Sequence, residues 1–178
     1  MKISYYLAFA AAAIACNANH VAEPAGYSYP VTQVREDQFA FKTVLDTGDY
    51  KIKVIGIDHP TAQELVVHIS GGNKLLSEIR RTVTGRLSTA FTGDLNADGQ
   101  PELYVLSRES ADSTALMAFS IAGDSLTEIA LPAKKTGSRS AFEITTDHII
   151  ETITNKNGDT EKWILSLSPQ GNVIRKIA

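Results

Sequence analysis

The sequence predicts an all-β protein, an antiparallel β-sandwich-like domain of meandering hairpins. Three observations carry this: apolar residues recur with a two-residue period, turn clusters rich in Gly, Asn and Asp separate those runs, and no ten-residue stretch holds a helical period. Alternation puts one set of side chains on a core face and the other outside. Glycine supplies the positive φ that hairpin turns need, and Asn and Asp tolerate it.

The chain starts with Met1-Lys2 and an almost unbroken apolar run, Ile3 to Ala15. Such a run has the length of a signal-peptide core and is short for a permanent bilayer span. Residues 1–15 are therefore expected to be a signal peptide and the protein to be exported. Ala13-Ile14-Ala15-Cys16 resembles a bacterial lipobox, with Ala13 where leucine is usual. That makes Cys16 the expected lipidation site; ordinary cleavage under the small-x-small rule is the alternative. With Asn17 after the cysteine, the resemblance implies a lipid-anchored protein of the periplasm or outer membrane. The anchor is its only expected membrane contact. Residues 16–34 are small, polar and proline-bearing without period, as in a flexible tether. Residues 35–178 remain for the β-domain.

Within that domain Phe39-Phe41-Thr43, Tyr50-Ile52-Val54, Leu65-Val67-Ile69 and Trp163-Leu165-Leu167 each alternate with a second set of residues. Between the runs lie Thr47-Gly48-Asp49, Ser70-Gly71-Gly72-Asn73, Ala122-Gly123-Asp124-Ser125, Asn157-Gly158-Asp159 and Pro169-Gln170-Gly171-Asn172. Roughly ten to twelve short strands follow from this spacing. Leu103-Tyr104-Val105-Leu106 is apolar at every position, so it predicts a central strand covered on both faces. Leu76-Ser77-Glu78-Ile79, Leu126-Thr127-Glu128-Ile129 and Ile174-Arg175-Lys176-Ile177 echo one another about fifty residues apart. Three units are too few for an ordinary closed propeller, which favours a sandwich.

Composition narrows function by exclusion. A net charge of −3 and scattered Lys and Arg argue against nucleic acid. The four histidines show no ligand spacing, and the single cysteine excludes an intrachain disulfide. The chain has no G-x-S-x-G, H-E-x-x-H, P-loop or G-x-G-x-x-G motif. Glu109 and Asp112 read as solvated loop carboxylates. A non-enzyme is expected.

The most informative stretch is Asp94-Leu95-Asn96-Ala97-Asp98-Gly99-Gln100-Pro101-Glu102. Side-chain oxygens at positions one, three and five, a glycine at six, the Gln100 carbonyl at seven and Glu102 at nine suit a hard cation. Asp94, Asn96, Asp98, Gln100 and Glu102 are thus candidate ligands for a structural Ca²⁺; the alternative is a metal-free turn, since Asn and Asp favour such bends. The loop resembles the calcium hairpins of integrin-type (FG-GAP) propellers and of bacterial D-x-N-x-D-G repeats, with Glu102 where aspartate is commoner. Ser107 to Thr114 is polar and small, and reads as an exposed connecting loop suited to recognition.

The run Asp94 to Val105, the polar segment after it, Ala115 to Ser120 and Ser125 to Pro132 together resemble the family of periplasmic inhibitors of invertebrate-type lysozyme. The similarity extends over residues 38–178 and is specific from Asp94 to Pro132. It implies a β-sandwich-like exported domain that blocks a lysozyme cleft with a loop, here Arg108, Ser110, Ala111, Asp112, Ser113 and Thr114. That family often carries Ser-Gly-x-Tyr on this loop; this chain has Ser110-Ala111-Asp112-Ser113. The alternative is an envelope lipoprotein that binds a glycan or protein ligand through the same loops.

Overall fold

A computed structural model describes residues 39–133, 136–145, 148–168 and 172–178. The expected signal peptide, Cys16, the tether and residues 169–171 of the last turn lie outside them. The described chain forms twelve strands. The first sheet holds β1 (Phe39–Asp46), β2 (Lys51–Asp58), β3 (Gln63–Gly71) and β4 (Lys74–Val83). The second holds β5 (Arg86–Gly93), β6 (Glu102–Ser110), β7 (Ser113–Ala122) and β8 (Ser125–Ile129). The third holds β9 (Arg139–Ile144), β10 (Ile149–Thr154), β11 (Thr160–Leu167) and β12 (Val173–Ile177). In each sheet the strands lie in chain order and pair antiparallel, so the fold is all-β and antiparallel throughout.

The three sequence echoes fall on β4, β8 and β12, the fourth strand of each meander. The repeat is thus architectural: one four-stranded unit used three times.

Two cores separate the sheets. Ile52, Val54, Leu65 and Val67 of the first sheet meet Leu103, Val105, Phe119 and Ile121 of the second. On the other side, Tyr104, Leu106, Leu116 and Ala118 meet Ile149, Leu165 and Leu167 of the third. Successive residues of a strand point to opposite faces, so β6 sends 103 and 105 into one core and 104 and 106 into the other. The doubly apolar run is therefore the middle layer of the stack, as its pattern requires.

Polar side chains cross between sheets where the apolar rows end. Gln63 is 2% exposed; its Nε2 donates to Asp58 Oδ1 at 2.8 Å and its Oε1 accepts from the Leu87 backbone N–H at 2.6 Å. Arg86 donates to the other oxygen of Asp58 at 2.8 Å; the Gln63 bond first, and then that of Arg86, hold the carboxyl below its ordinary pKa. Arg81 of β4 donates to Glu128 of β8 at 2.9 Å.

One expectation needs correction. Ser107 to Thr114 is not a loop: β6 runs through Ser110, β7 begins at Ser113, and only Ala111 and Asp112 turn between them. Ser110 pairs with Ser113 across the ladder, and an irregularity between Arg108 and Ser110 absorbs Glu109. Polar composition misleads here because pairing with a neighbour, not hydrophobicity, extends a strand at its end.

The link from β4 to β5 passes through Gly85 at φ +82°. A Cβ there would stand 2.2 Å from the Arg108 carbonyl oxygen and 2.8 Å from Glu109 Cα, both backbone atoms. Gly85→Ala should therefore cost about 2 kcal/mol or more in urea unfolding, since strain adds to displacement of the β6 end. Gly123→Ala, at φ +61° with open space around it, should cost only about 1 kcal/mol. Equal losses would show that backbone contact at Gly85 is unimportant.

Candidate functional site

The Asp94–Pro101 connection hangs between β5 and β6 at one end of the second sheet. Its shape follows from side-chain oxygens folding back on backbone N–H groups. Asp98 N–H is shared by Asp94 Oδ1 at 3.1 Å and Asn96 Oδ1 at 3.0 Å; Gly99 N–H donates to Asp94 Oδ2 at 3.0 Å. Gln100 N–H donates to Asp98 Oδ1 at 2.7 Å, and Asn96 Nδ2 to Asp98 Oδ2 at 2.8 Å. To close this way the chain turns left-handed at Ala97 (φ 56°) and Gly99 (φ 82°). Ala97 is the one non-glycine residue in that region among those described, a conformation that costs about 1 kcal/mol.

Glu102 anchors the loop from below. It is 2% exposed, accepts the Leu95 N–H at 2.9 Å and the Tyr104 hydroxyl at 3.2 Å, and Tyr104 stacks on Phe91 with centroids 5.0 Å apart. Leu95 itself packs on the second core. Carboxylate oxygens of Asp94, Asp98 and Glu102 all lie within 4.8 Å of one another. Burial first, then the charges of Asp98 and Asp94, push the Glu102 pKa up against the two hydrogen bonds it accepts. Burial and the neighbouring Glu102 likewise push the Tyr104 hydroxyl up. Among the described residues no Lys or Arg pairs with the three carboxylates. A donor set of three carboxylates, the Asn96 amide oxygen and the Gln100 carbonyl fits a hard divalent cation by its chemistry. An open cavity of about 300 Å³, lined in part by Thr47, Asp49 and Tyr50, borders the loop and gives water access to it.

The other sequence-predicted residues sit at the opposite end. Nine residues of β6, Glu102–Ser110, separate them, roughly 27 Å of extended chain. Arg108, Ser110, Ala111 and Asp112 are exposed, Thr114 is half-buried, and Ser113 is only 5% exposed. The two carboxylates read as solvated have partners: Asp112 pairs with Arg139, and Glu109 accepts the Ser113 hydroxyl at 3.0 Å. Ser110 donates to Asp112 Oδ1 at 3.1 Å, and Thr114 donates to the Ser140 carbonyl at 3.3 Å. Arg80, Arg81, Arg86, Arg139 and Arg175 each pair with a carboxylate. Arg108 is the exception among the described arginines. Sequence reasoning missed Gly85 and Arg139, which brace the tip from remote segments; their local surroundings carry no signal of it.

Comparison with protein-family models, with curated proteins and with solved structures finds no match.

Three mutually close carboxylates without a cation should burden the metal-free domain. Because the folded pKa of Glu102 exceeds its unfolded value, its contribution to stability falls as pH rises through that window and is least at neutral pH. In Glu102→Gln the amide oxygen keeps both accepted bonds and the NH₂ faces Asp94 and Asp98. With a chelator present at pH 7, this variant should unfold at the same or higher urea concentration than the parent. A loss above about 1 kcal/mol would show that the charge stabilises the metal-free loop.

Proposed function

We propose that this protein is an exported cell-envelope binding protein of the cleft-blocking, lysozyme-inhibitor type, lipid-anchored at Cys16. The β6–β7 tip is its binding element, and a structural calcium ion staples the far end of the same strand. The observation that carries this reading is the tip: five consecutive exposed residues, Arg108 to Asp112, on a two-residue turn. Arg139 braces the turn itself through Asp112, and Ser113 on Glu109 and the close approach of Gly85 brace its base. A tip held in one shape loses little entropy on binding. The Arg108 guanidinium is free to take a partner's carboxylate in two parallel hydrogen bonds. Arg139 also offsets the Asp112 charge, which lessens its repulsion from an acidic cleft.

The tight turn favours a second reading as well. It reaches less far than the loop the resemblance implies, and Ser113 is buried where that family's motif has tyrosine. A shallow glycan or protein ligand on the same tip suits that reach.

Calcium would be held by Asp94, Asp98, Glu102, the Asn96 side chain and the Gln100 carbonyl, joining the end of β5 to the start of β6. Because it would bind only the folded loop, calcium at a hundredfold above Kd should stabilise by about 2.7 kcal/mol. Excess calcium should raise the melting temperature, and Asp94→Ala and Asp98→Ala should each abolish the response. A melt indifferent to calcium and chelator overturns the assignment.

The binding reading is tested by inhibition titration against lysozymes of several classes. Arg108→Gln should weaken inhibition roughly thirtyfold, the loss of about 2 kcal/mol expected when a charged anchor is removed. Lys162→Gln, on the third sheet, should not. If the parent inhibits no lysozyme at micromolar concentration, the inhibitor reading fails and the shallow-ligand reading replaces it.

A further inference from the structure

The turn between β10 and β11 carries a chemistry that neither the tip nor the metal loop uses. A glycine after an asparagine or aspartate leaves the next backbone nitrogen with no side chain beside it, so that nitrogen can reach the carbonyl carbon of the preceding side chain. The chain holds seven asparagines, and only Asn157 precedes a glycine. Among the aspartates only Asp98 has that neighbour.

The structure treats these two places differently. At Asp98 both side-chain oxygens are engaged, Oδ1 by the Gln100 N–H at 2.7 Å and Oδ2 by the Asn96 amide at 2.8 Å. An ionised carboxylate also resists nucleophilic attack. Asn157 is exposed, and its side-chain amide makes no hydrogen bond among the described residues; only its backbone N–H is bonded, to Asn155 Oδ1 at 2.8 Å. Gly158 sits at φ +89°, with nothing within 4 Å of the place a Cβ would take. An open cavity of about 360 Å³, lined in part by Ser138, Lys156, Asn157 and Asp159, brings water to the turn. One arrangement opposes reaction. The Gly158 N–H donates to the Asn155 carbonyl at 3.1 Å, and Asn155 Oδ1 also accepts the Asp159 N–H at 3.0 Å. The turn must loosen before the Gly158 nitrogen can attack, so Asn155 acts as a brake.

We propose that Asn157 is a site of spontaneous deamidation whose rate is set by Asn155. The Gly158 nitrogen gives its proton to water or hydroxide and bonds to Asn157 Cγ. The bond from Cγ to the amide nitrogen then breaks, ammonia leaves, and a five-membered imide remains. Water opens that ring at either carbonyl: attack at Cγ restores the original chain with aspartate, and attack at the main-chain carbonyl leaves isoaspartate. One water enters and one ammonia departs, with no oxidation or reduction. Both products put a new carboxylate into the cavity that Asp159 and Glu161 already line. Isoaspartate also adds a methylene to the main chain, inside a turn closed by the bond from residue 158 to residue 155. The inference depends on neither calcium nor the identity of the tip's ligand.

The test is incubation of the full chain in mildly alkaline buffer, then digestion and peptide mass spectrometry, with a synthetic peptide of residues 154–161 treated in parallel. Asn157 should convert roughly tenfold or more faster than Asn73, Asn96, Asn155 or Asn172, since only its neighbour lacks a side chain. Two products of equal mass should separate, and the rate should rise with pH because the attacking nitrogen must lose a proton. Asn155→Ala should speed conversion in the folded chain roughly threefold or more, the change in open population that loss of one modest hydrogen bond gives. Gly158→Ala should slow conversion in the peptide as well as in the protein, which separates shielding of the nitrogen from any disturbance of the fold. Asn157→Asp, which adds the charge without the methylene, should unfold at the parent's urea concentration, and the isoaspartate fraction at a lower one. If the peptide converts and Asn157 of the intact chain does not, the turn locks the site and the proposal is overturned. Conversion no faster than at Asn73 overturns it too, and a rate unchanged by Asn155→Ala overturns the part assigned to Asn155.

Discussion

The structure depends on burying both faces of its middle sheet. A strand such as Leu103-Tyr104-Val105-Leu106 has no polar side, so it is stable only with a layer above and a layer below. Once that holds, three meanders and two cores follow. In the first sheet only the edge strand β1 alternates in burial, while β2 and β3 also bury Ile55, Ile57 and Val66 on the side away from the first core. The middle position packs β6 on both faces, and both candidate sites are built on its ends.

Hydrophobic contact alone does not fix how three sheets register, because it is proportional to area and has little direction. Direction comes from a few buried polar groups. Gln63 spans the first interface to a backbone N–H on β5. Thr114 of β7 spans the second interface to the Ser140 carbonyl at 3.3 Å, while within the third sheet Glu151, 4% exposed, accepts the Ser140 hydroxyl at 2.9 Å and pairs with Arg175, which fixes strand register there. A group that loses its partner when sheets slide pays its full desolvation, so such bonds select one alignment even where their net stabilisation is small. The Arg175 Nε has no partner among the described residues, which limits what that pair adds.

Legibility in the sequence followed the range of the interactions involved. Strands and hairpin turns were legible because alternation and turn chemistry act over a few residues. The Asp94 loop was legible for the same reason, its interacting side-chain oxygens lying within nine positions of chain. The central strand could be recognised because burial on both faces leaves no polar residue to mislead. The echoes at Leu76, Leu126 and Ile174 contained the threefold plan, because one meander repeated about every fifty residues leaves the same strand pattern at each turn of the repeat. Ser107 to Thr114 was misread since small polar residues are compatible with either a loop or a strand end, and the choice rests on Ser110 meeting Ser113. Arg139 and Gly85 are more than twenty residues from the tip they brace, and no local pattern marks such a partnership.

The two ends of β6 divide labour by distance. About 27 Å of strand separates three close carboxylates from the tip, while the Debye length at physiological salt is about 8 Å. Loop charge, whether bare or neutralised by a cation, is therefore screened before it reaches Arg108. Mechanical transmission is weak too, since β6 is held along its length by β5 and β7 and by cores on both faces. What remains is coupling through the folding equilibrium: a cation at Asp94 would act on the tip by keeping the second sheet intact, not by changing its shape. That would be the behaviour of a staple, which acts on whether the tip is folded and not on the form it takes.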